Sequence, residues 1–329
     1  MSKVILVQVV YNNRRFIEPV FSAIRAQTYA DKQIVAVIAG NEDGGKELIA
    51  EKFPEVEIID PGYNIGFAKG HNLVFKKYNA EYFQLVNPDL IMEPDYVEKM
   101  VAAMEANSRI GAVTGKLLKI PQESIADFTR WKGQQQNFVI DSTGVLIFKS
   151  GAARDRGQHE VDAGQYDTMR VVDAVSAAGC MYRASALKAV ACKLSGGTTE
   201  IFDEDFHSYW EDVDLAWRLN NKGFMNVFVP EAVAFHGRGA GSNPGGYKKI
   251  LSFIKFHKLL NSRIRQLNYK NHIWMYIKNS PWFYPQFFVR EFFMFLYILL
   301  FEPGTLKFVP EMLRQIPRMW GKRRGGARF

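Results

Sequence analysis

The chain has 329 residues, 47% of them hydrophobic and 23% charged, which excludes a disordered or low-complexity protein and leaves ample material for a core. Its two cysteines, Cys180 and Cys192, exclude a disulfide framework and have no zinc-site spacing, so a reducing cytoplasm is the expected compartment. The net charge of +8 is uneven: residues 248–329 hold 16 Lys and Arg against Glu291, Glu302 and Glu311, a balance of +13 that leaves −5 for residues 1–247, so the tail is expected to meet an anionic surface, lipid or nucleic acid.

The N-terminus runs straight into an apolar segment, without the basic leader and cleavage site of a signal peptide. KVILVQVV (3–10), IVAVIA (34–39) and YFQLV (82–86) are short, nearly continuous apolar runs that suit parallel strands covered on both faces. Helical patterns separate them: one face through Phe16, Val20, Phe21 and Ile24, a short helix over 46–53, and another from Gly66. This alternation predicts a doubly wound α/β sandwich, with ligands beyond the carboxyl ends of the strands. Residues 94–106 read as a helix and 110–114 as a strand. From about 120 to 175 the rhythm weakens into FVIDSTGVLIF and MRVVDAV, two strand-like segments around a polar loop.

A helix is predicted from Glu211 to about Gly223, with Glu211, Asp212 and Asp214 crowded into its first turn. Such crowding is costly unless a helix N-terminus, a metal or a proton transfer uses it. After Gly246 the composition shifts. Residues 247–266 fit a basic amphipathic helix, with Ile250, Leu251, Ile254, Leu259 and Leu260 against Lys248, Lys255, Lys258 and Arg265. Seven aromatics follow between Trp274 and Phe288, then FFMFLYILLF (292–301), which is wholly apolar but half the length a bilayer-crossing helix needs, roughly 20 residues. The tail is therefore expected to lie on a membrane surface; the alternative is a helical hairpin packed on the body.

Several short segments could carry chemistry, although each alone is also an ordinary turn. Tyr11 and Asn12 end the first strand. Asn64, Gly66 and Gly70 open a helix whose N-terminus suits a phosphate or nucleotide edge. Asn87 and Asp89 flank Pro88 after a buried strand, where a carboxylate could hold a divalent cation on a diphosphate. Gly179 would admit a sugar, with Arg183 adding charge. His236 stands alone in VAFHGRGAGS.

In order and spacing VVYNN, NIGFAKGHN, LVNPDLIMEPD, IDSTG, GCMYRASAL, WEDVDLAWRL and VAFHGRGAGS resemble the family-2 glycosyltransferases of the GT-A fold, and among them the bacterial rhamnosyltransferase-like branch. The resemblance spans residues 3–242. It implies a Rossmann-like α/β/α glycosyltransferase domain over 1–247, while the charge and aromatics of 248–329 make that a basic, aromatic-rich helical membrane-associating region. It implies an inverting enzyme that moves a sugar, rhamnose being the candidate, from a nucleotide-diphosphate sugar to a polyprenyl-linked or growing glycan. A divalent metal, Mg²⁺ or Mn²⁺, would be the cofactor, and the enzyme would sit peripherally on the inner face of the cell membrane. By the same resemblance Asp212 is the general base with Glu211 beside it, Asp89 is the metal-holding carboxylate of an NPD variant of the DXD motif, and His236 approaches the metal or diphosphate. Tyr11, Asn12, Asn64, Gly66, Gly70, Asn87 and Gly179 line the donor side. The second strand departs from the pattern: Ala39 stands where the family carries a base- or ribose-binding Asp, leaving Asn41, Glu42 or Asp43 to substitute. A glycan- or lipid-binding scaffold without activity is one competing reading, motivated by Ala39. A nucleotidyltransferase is another, although YNNRRF lacks its phosphate loop, and a nucleic-acid module fits the basic tail but not the apolar run.

Overall fold

The computed structural model describes residues 2–193, 198–238, 254, 257 and 260–325. The expected boundary at 247/248 and, of the expected amphipathic helix, Lys248, Ile250, Leu251, Lys255, Lys258 and Leu259 lie outside the described residues, as do 239–242 of the last motif.

The strands are β1 (Val4–Tyr11), β2 (Lys32–Gly40), β3 (Glu57–Ile59), β4 (Tyr82–Leu85), β5 (Leu90–Met92), β6 (Ile110–Lys119), β7 (Ile140–Ser142), β8 (Val145–Ile147), β9 (Ala153–Asp155), β10 (Arg170–Val172), β11 (Cys180–Arg183), β12 (Cys192–Lys193), β13 (Thr199–Glu200) and β14 (Met225–His236). The helices are α1 (Arg14–Arg25), α2 (Gly45–Lys52), α3 (Phe67–Lys77), α4 (Tyr96–Ala106), α5 (Phe128–Gln134), α6 (Ala184–Ala189), α7 (Glu211–Asn221), α8 (Ser262–Asn279), α9 (Pro285–Phe301) and α10 (Val309–Gly325).

The main sheet runs β10-β14-β6-β11-β4-β1-β2-β3. The expected apolar runs are its parallel centre, β4-β1-β2. Alternate side chains of each strand enter opposite cores: Val4, Leu6, Ile34 and Ala36 face α1 and α4, while Ile5, Val7, Val35 and Val37 face α3 and α6. Burial on both faces is why these strands read as unbroken hydrophobic sequence rather than as alternation. β11 interrupts the parallel order, pairing antiparallel with both β4 and β6.

A third core lies behind α7. Phe206, Val213 and Ala216 pack against Trp274 and Met275 of α8 and Met312 and Met319 of α10. Trp274, Met275 and Met319 are fully buried, each contributing roughly 1.5–3 kcal/mol of transfer free energy. Helices α8 and α10 are thus built into the body. Helix α9 differs: Phe288, Val289, Phe292, Phe293, Phe295, Leu299, Leu300 and Phe301 are exposed along it. Among the described residues no single helix is long and apolar enough to cross a membrane; Pro285–Phe301 and Pro303–Arg323 reach that length only as a pair bent by 117°.

Candidate functional site

Strand β6 gathers the first half of the site. Its far end pairs with β14 on one side, bringing His236 opposite Lys119, and with β7 on the other, bringing Ser142 and Ile140 opposite Leu117 and Leu118. Strand β5 pairs with β14 so that Leu90 faces His236. Asp89 and Asp141 therefore flank one imidazole. His236 Nε2 is 3.3 Å from Asp89 Oδ1, and Nδ1 is 2.8 Å from Asp141 Oδ2. Arg238 extends the network, 2.9 Å from Asp141 and 2.8 Å from Asp155. Burial opposes charge on the His236 ring, but the two carboxylates outweigh it and raise its pKa to about 9. Burial likewise opposes ionisation of Asp89 and Asp141, yet their cationic neighbours hold both carboxyls below the usual range.

The second half is the start of α7. Its three carboxylates have separate fates. Asp214 is fully buried against Arg218, 3.0 Å away, and Lys278 of α8, 2.7 Å away. Glu211 is buried and its Oε2 has no hydrogen-bond partner among the described residues; burial, with Asp212 and Asp214 nearby, pushes its pKa up to about 8. Asp212 lies in the cleft wall, accepting from the backbone N–H of Ala177 (3.2 Å) and of Val213 (2.8 Å). Burial raises its carboxyl too, against the pull of those two donors. A base made more avid for protons by desolvation and oriented by two amides suits abstraction from a hydroxyl.

The turn before α7 is strained. His207, Tyr209 and Trp210 all have positive φ, at 62°, 72° and 73°. Asn271 of α8 holds it, its Nδ2 lying 2.9 Å from the carbonyl oxygens of Phe206, Ser208 and Tyr209. Trp210 is tied to the same helix through Asn268, Nε1 to Oδ1 at 3.0 Å. Strain of this kind persists only where neighbours over-determine it, and here a helix from the tail does so.

Asp89, His236, Glu211 and Asp212 line one cleft of ≈ 710 Å³ with Tyr11, Asn64, Gly66 and Asn87. Asn64 turns the chain by accepting from Gly66 N–H at 3.0 Å. Gly66 has φ 73°, and a Cβ there would come within 2.7 Å of the His207 ring. Asn87 Nδ2 approaches His236 Nε2 at 3.4 Å. Three expected donor residues do not line the cleft. Gly70 is a packing glycine, since a Cβ would lie 2.9 Å from Val9. At Gly179 a Cβ would lie 2.7 Å from Leu90. Asn12 faces the next loop and accepts from Glu42 N–H. Arg183 is likewise structural, bonded to the carbonyls of Met104, Asn107 and Ile110. Ala39 is buried in the cleft wall. Of its possible substitutes, Asn41 holds Glu47 and Asp43 holds Arg14 N–H, so only the exposed Glu42 remains uncommitted at that strand end.

The sequence motifs assign no role to Asp141, Asp155 or Arg238. IDSTG was the sole signal for Asp141, and nothing in the sequence pointed to Asp155. Among the described residues no group of three or more His, Cys, Asp or Glu side chains could hold a metal alone. The pair Asp89–His236 does fit a cation that takes its other ligands from substrate phosphates, as magnesium commonly does. The supporting observation is Asp141: a metal-ligating histidine usually gives its second ring nitrogen to a carboxylate, and here Nδ1 does.

Residues 6–158 match the family profile described as "Glycosyl transferase family 2". An uncharacterised glycosyltransferase of Haemophilus influenzae is 31% identical over 113 residues, covering 33% of this chain and 35% of that protein. The chain thus aligns with about a third of that relative's length. The N-acetylglucosaminyl-diphospho-decaprenol L-rhamnosyltransferase of Mycobacterium tuberculosis is 22% identical over 259 residues, 74% of this chain and 79% of that one. Among solved structures, the mannosyltransferase PcManGT of Pyrobaculum calidifontis, in complex with GDP-Man and Mn²⁺, superposes with a TM-score of 0.53 at 15% identity, covering 100% of this chain and 76% of that one. GalNAc-T7, with UDP, GalNAc and Mn²⁺, gives 0.57 at 10% identity, over 84% and 48%. With the sheet order and the cleft at the strand ends, these likenesses show a GT-A-type α/β fold, and over residues 6–158 the chain is similar to the family-2 glycosyltransferases.

Proposed function

We propose that the protein is an inverting, metal-dependent hexosyltransferase that moves a sugar, with rhamnose the candidate, from a nucleotide-diphosphate donor to a lipid-linked or growing polysaccharide acceptor. The observation that carries this reading is the shared cleft: a charged pair suited to a diphosphate, Asp89–His236, and a carboxylate suited to proton abstraction, Asp212, line the same space. Asp212 takes the proton of the acceptor hydroxyl as that oxygen bonds to the anomeric carbon; the bond to the diphosphate breaks on the opposite face, and configuration inverts. Asp89 and His236 would hold Mg²⁺ or Mn²⁺, which supplies charge neutralisation for the departing diphosphate. One base suffices, so Glu211, protonated near neutrality, need not act as a nucleophile.

The exposed apolar face of α9 supports peripheral attachment to the inner face of the membrane, with the basic tail adding electrostatic attraction to anionic lipid. A lipid-linked acceptor is consistent with both the position of α9 and the name of the mycobacterial relative.

The test is Asp212→Asn in a transfer assay with a panel of nucleotide-sugars and Mn²⁺. Donor binding should persist while turnover falls roughly 10²–10⁴-fold, the usual worth of a general base. Turnover within a few-fold of wild type would sink the assignment of the base.

A further inference from the structure

Beyond Asp212 the cleft opens into two further spaces. A chamber of ≈ 200 Å³ is walled by Asp212 with Asp155, Gln158, Tyr209 and Asn268, a polar set of the kind that grips sugar hydroxyls. It shares Ala153, Arg154, Trp210 and Asn268 with a larger cavity of ≈ 460 Å³ between the β8–β9 hairpin, α8 and α9. The wall of that cavity has two characters. Phe148, Leu260, Met294 and Ile298 make it apolar; Arg154, Arg265 and Arg290 face Glu302 alone among its acidic groups. Arg265 Nε is buried with no hydrogen-bond partner among the described residues, and its Nη1 is only loosely paired with Glu302 at 3.8 Å. Arg154 is exposed and pairs with no carboxylate among the described residues. Arg290 is engaged by Glu291 and lies 3.2 Å from the His272 ring. Met294 and Ile298 belong to α9, whose other face carries the exposed phenylalanines.

We infer that this cavity is the acceptor's anchoring site, taking the phosphate or diphosphate of a lipid-linked sugar, with the hydrocarbon running along α9. The inference rests on the glycosyltransferase reading with a lipid-linked acceptor and adds the place and the residues. The sequence of environments matches such a molecule group by group: a polar chamber at the base for the sugar, a surplus of arginines for the phosphates, and an apolar wall continuous with a helix whose outer apolar face is exposed among the described residues. Arginine is suited to the middle position because its fork pairs with phosphate oxygens in two places at once. Trp210, bonded to Asn268, borders all three spaces and so stands where the sugar–phosphate junction would pass.

The probe is geranylgeranyl diphosphate, titrated by calorimetry into the full chain with EDTA present to silence the donor's metal-linked diphosphate site. It should bind at least tenfold more tightly than geranylgeraniol and than inorganic pyrophosphate. The double variant Arg154→Gln/Arg265→Gln should weaken it about 10–100-fold, the worth of one or two charged hydrogen bonds, with an unchanged melting curve. Met294→Trp, which fills the cavity while leaving the arginines, should weaken it as well. Equal affinity in wild type and both variants, or pyrophosphate binding as tightly as the lipid, overturns the assignment. Transfer assays separate the two readings. If lipid-linked sugars are glycosylated equally well by wild type and the double variant, the cavity assignment falls and the acceptor reading stands. If the lipid diphosphate binds through the arginines but no lipid-linked sugar is glycosylated, the cavity stands as a lipid-diphosphate site and the acceptor reading falls.

Discussion

Two buried charge clusters, one on the cleft and one between α7, α8 and α10, have opposite designs. The first, Asp89–His236–Asp141–Arg238–Asp155, joins the ends of β5, β7, β9 and β14 and opens into the cleft. The second joins Glu200, Asp203, Asp205 and Asp214 to Arg218, to Lys278 of α8 and to Lys322 of α10. Asp203 and Asp214 are fully buried there, and both lysines are nearly so. In the second cluster each carboxylate already has its cations, so nothing remains for a ligand to do. In the first, Asp89 and His236 are in contact with each other on the wall of a cleft that a donor could enter. Burial and ion pairing alone therefore do not distinguish a site from a latch; access to the cleft does.

The largest expected effect would come from breaking the latch. Lys278→Met removes the cation shared by Asp203 and Asp214, leaving them to Lys322 and Arg218, and should cost about 3–5 kcal/mol of stability, read by denaturant unfolding, while donor affinity of the folded fraction stays unchanged. A loss of donor affinity with stability intact would mean that the second cluster also serves the cleft. A smaller effect is expected from the site: Asp141→Asn should weaken Mn²⁺-dependent donor binding about 10–100-fold by calorimetry, the usual worth of a carboxylate behind a ligating histidine. Its stability loss should be less than that of Lys278→Met, because Arg238 keeps Asp155. If Asp141→Asn changes stability alone, the first cluster is a latch too.

The last effect concerns Glu211, the first residue of α7. Its carboxyl titrates near 4.5 when exposed and near 8 when buried, so the folded state holds a proton that the unfolded state has lost. Wild-type stability therefore falls as pH rises from about 5 to 8, and this contribution to the slope ends above the folded value. Glu211→Gln removes the term and should be the more stable protein at pH 8, by a margin that grows as pH rises from 5. Thermal melts across that range would show a constant offset if the buried carboxyl did not titrate this way.

Much of this was legible in the sequence because the signals were local. The apolar runs gave the parallel strands, and the short motifs placed Asp89, Asp212 and His236 at strand and helix ends. What stayed hidden depends on register and distance. Asp141 and Asp155 meet Arg238 only through the pairing of strands about β6 and the β8–β9 hairpin. Glycines were ambiguous for a related reason: Gly66 opens space at the cleft, whereas Gly70, four residues on, relieves crowding against Val9, and the letter is the same. The tail read as one membrane-associating region because its charges have no local partners. Lys278 and Lys322 look like solvated lysines until α8 and α10 dock; α9 alone keeps the exposed apolar face expected of the whole.

The clamp of Asn271 on the turn before Asp212, and of Lys322 on Asp203, also sets a timetable. Lys322 follows Asp203 by 119 residues, which a ribosome adding roughly 5–20 residues per second takes about 6–24 s to make. Until Asn271 and Lys278 are made the left-handed turn has no helix to hold it, and until Lys322 is made Glu200 lacks its cation and Asp203 lacks one of its two. Helix α9 is synthesised after Asn271 but before Lys322. If it meets lipid as proposed, the growing chain reaches the bilayer with its base already clamped by Asn271 but with the Lys322 latch behind α7 still open.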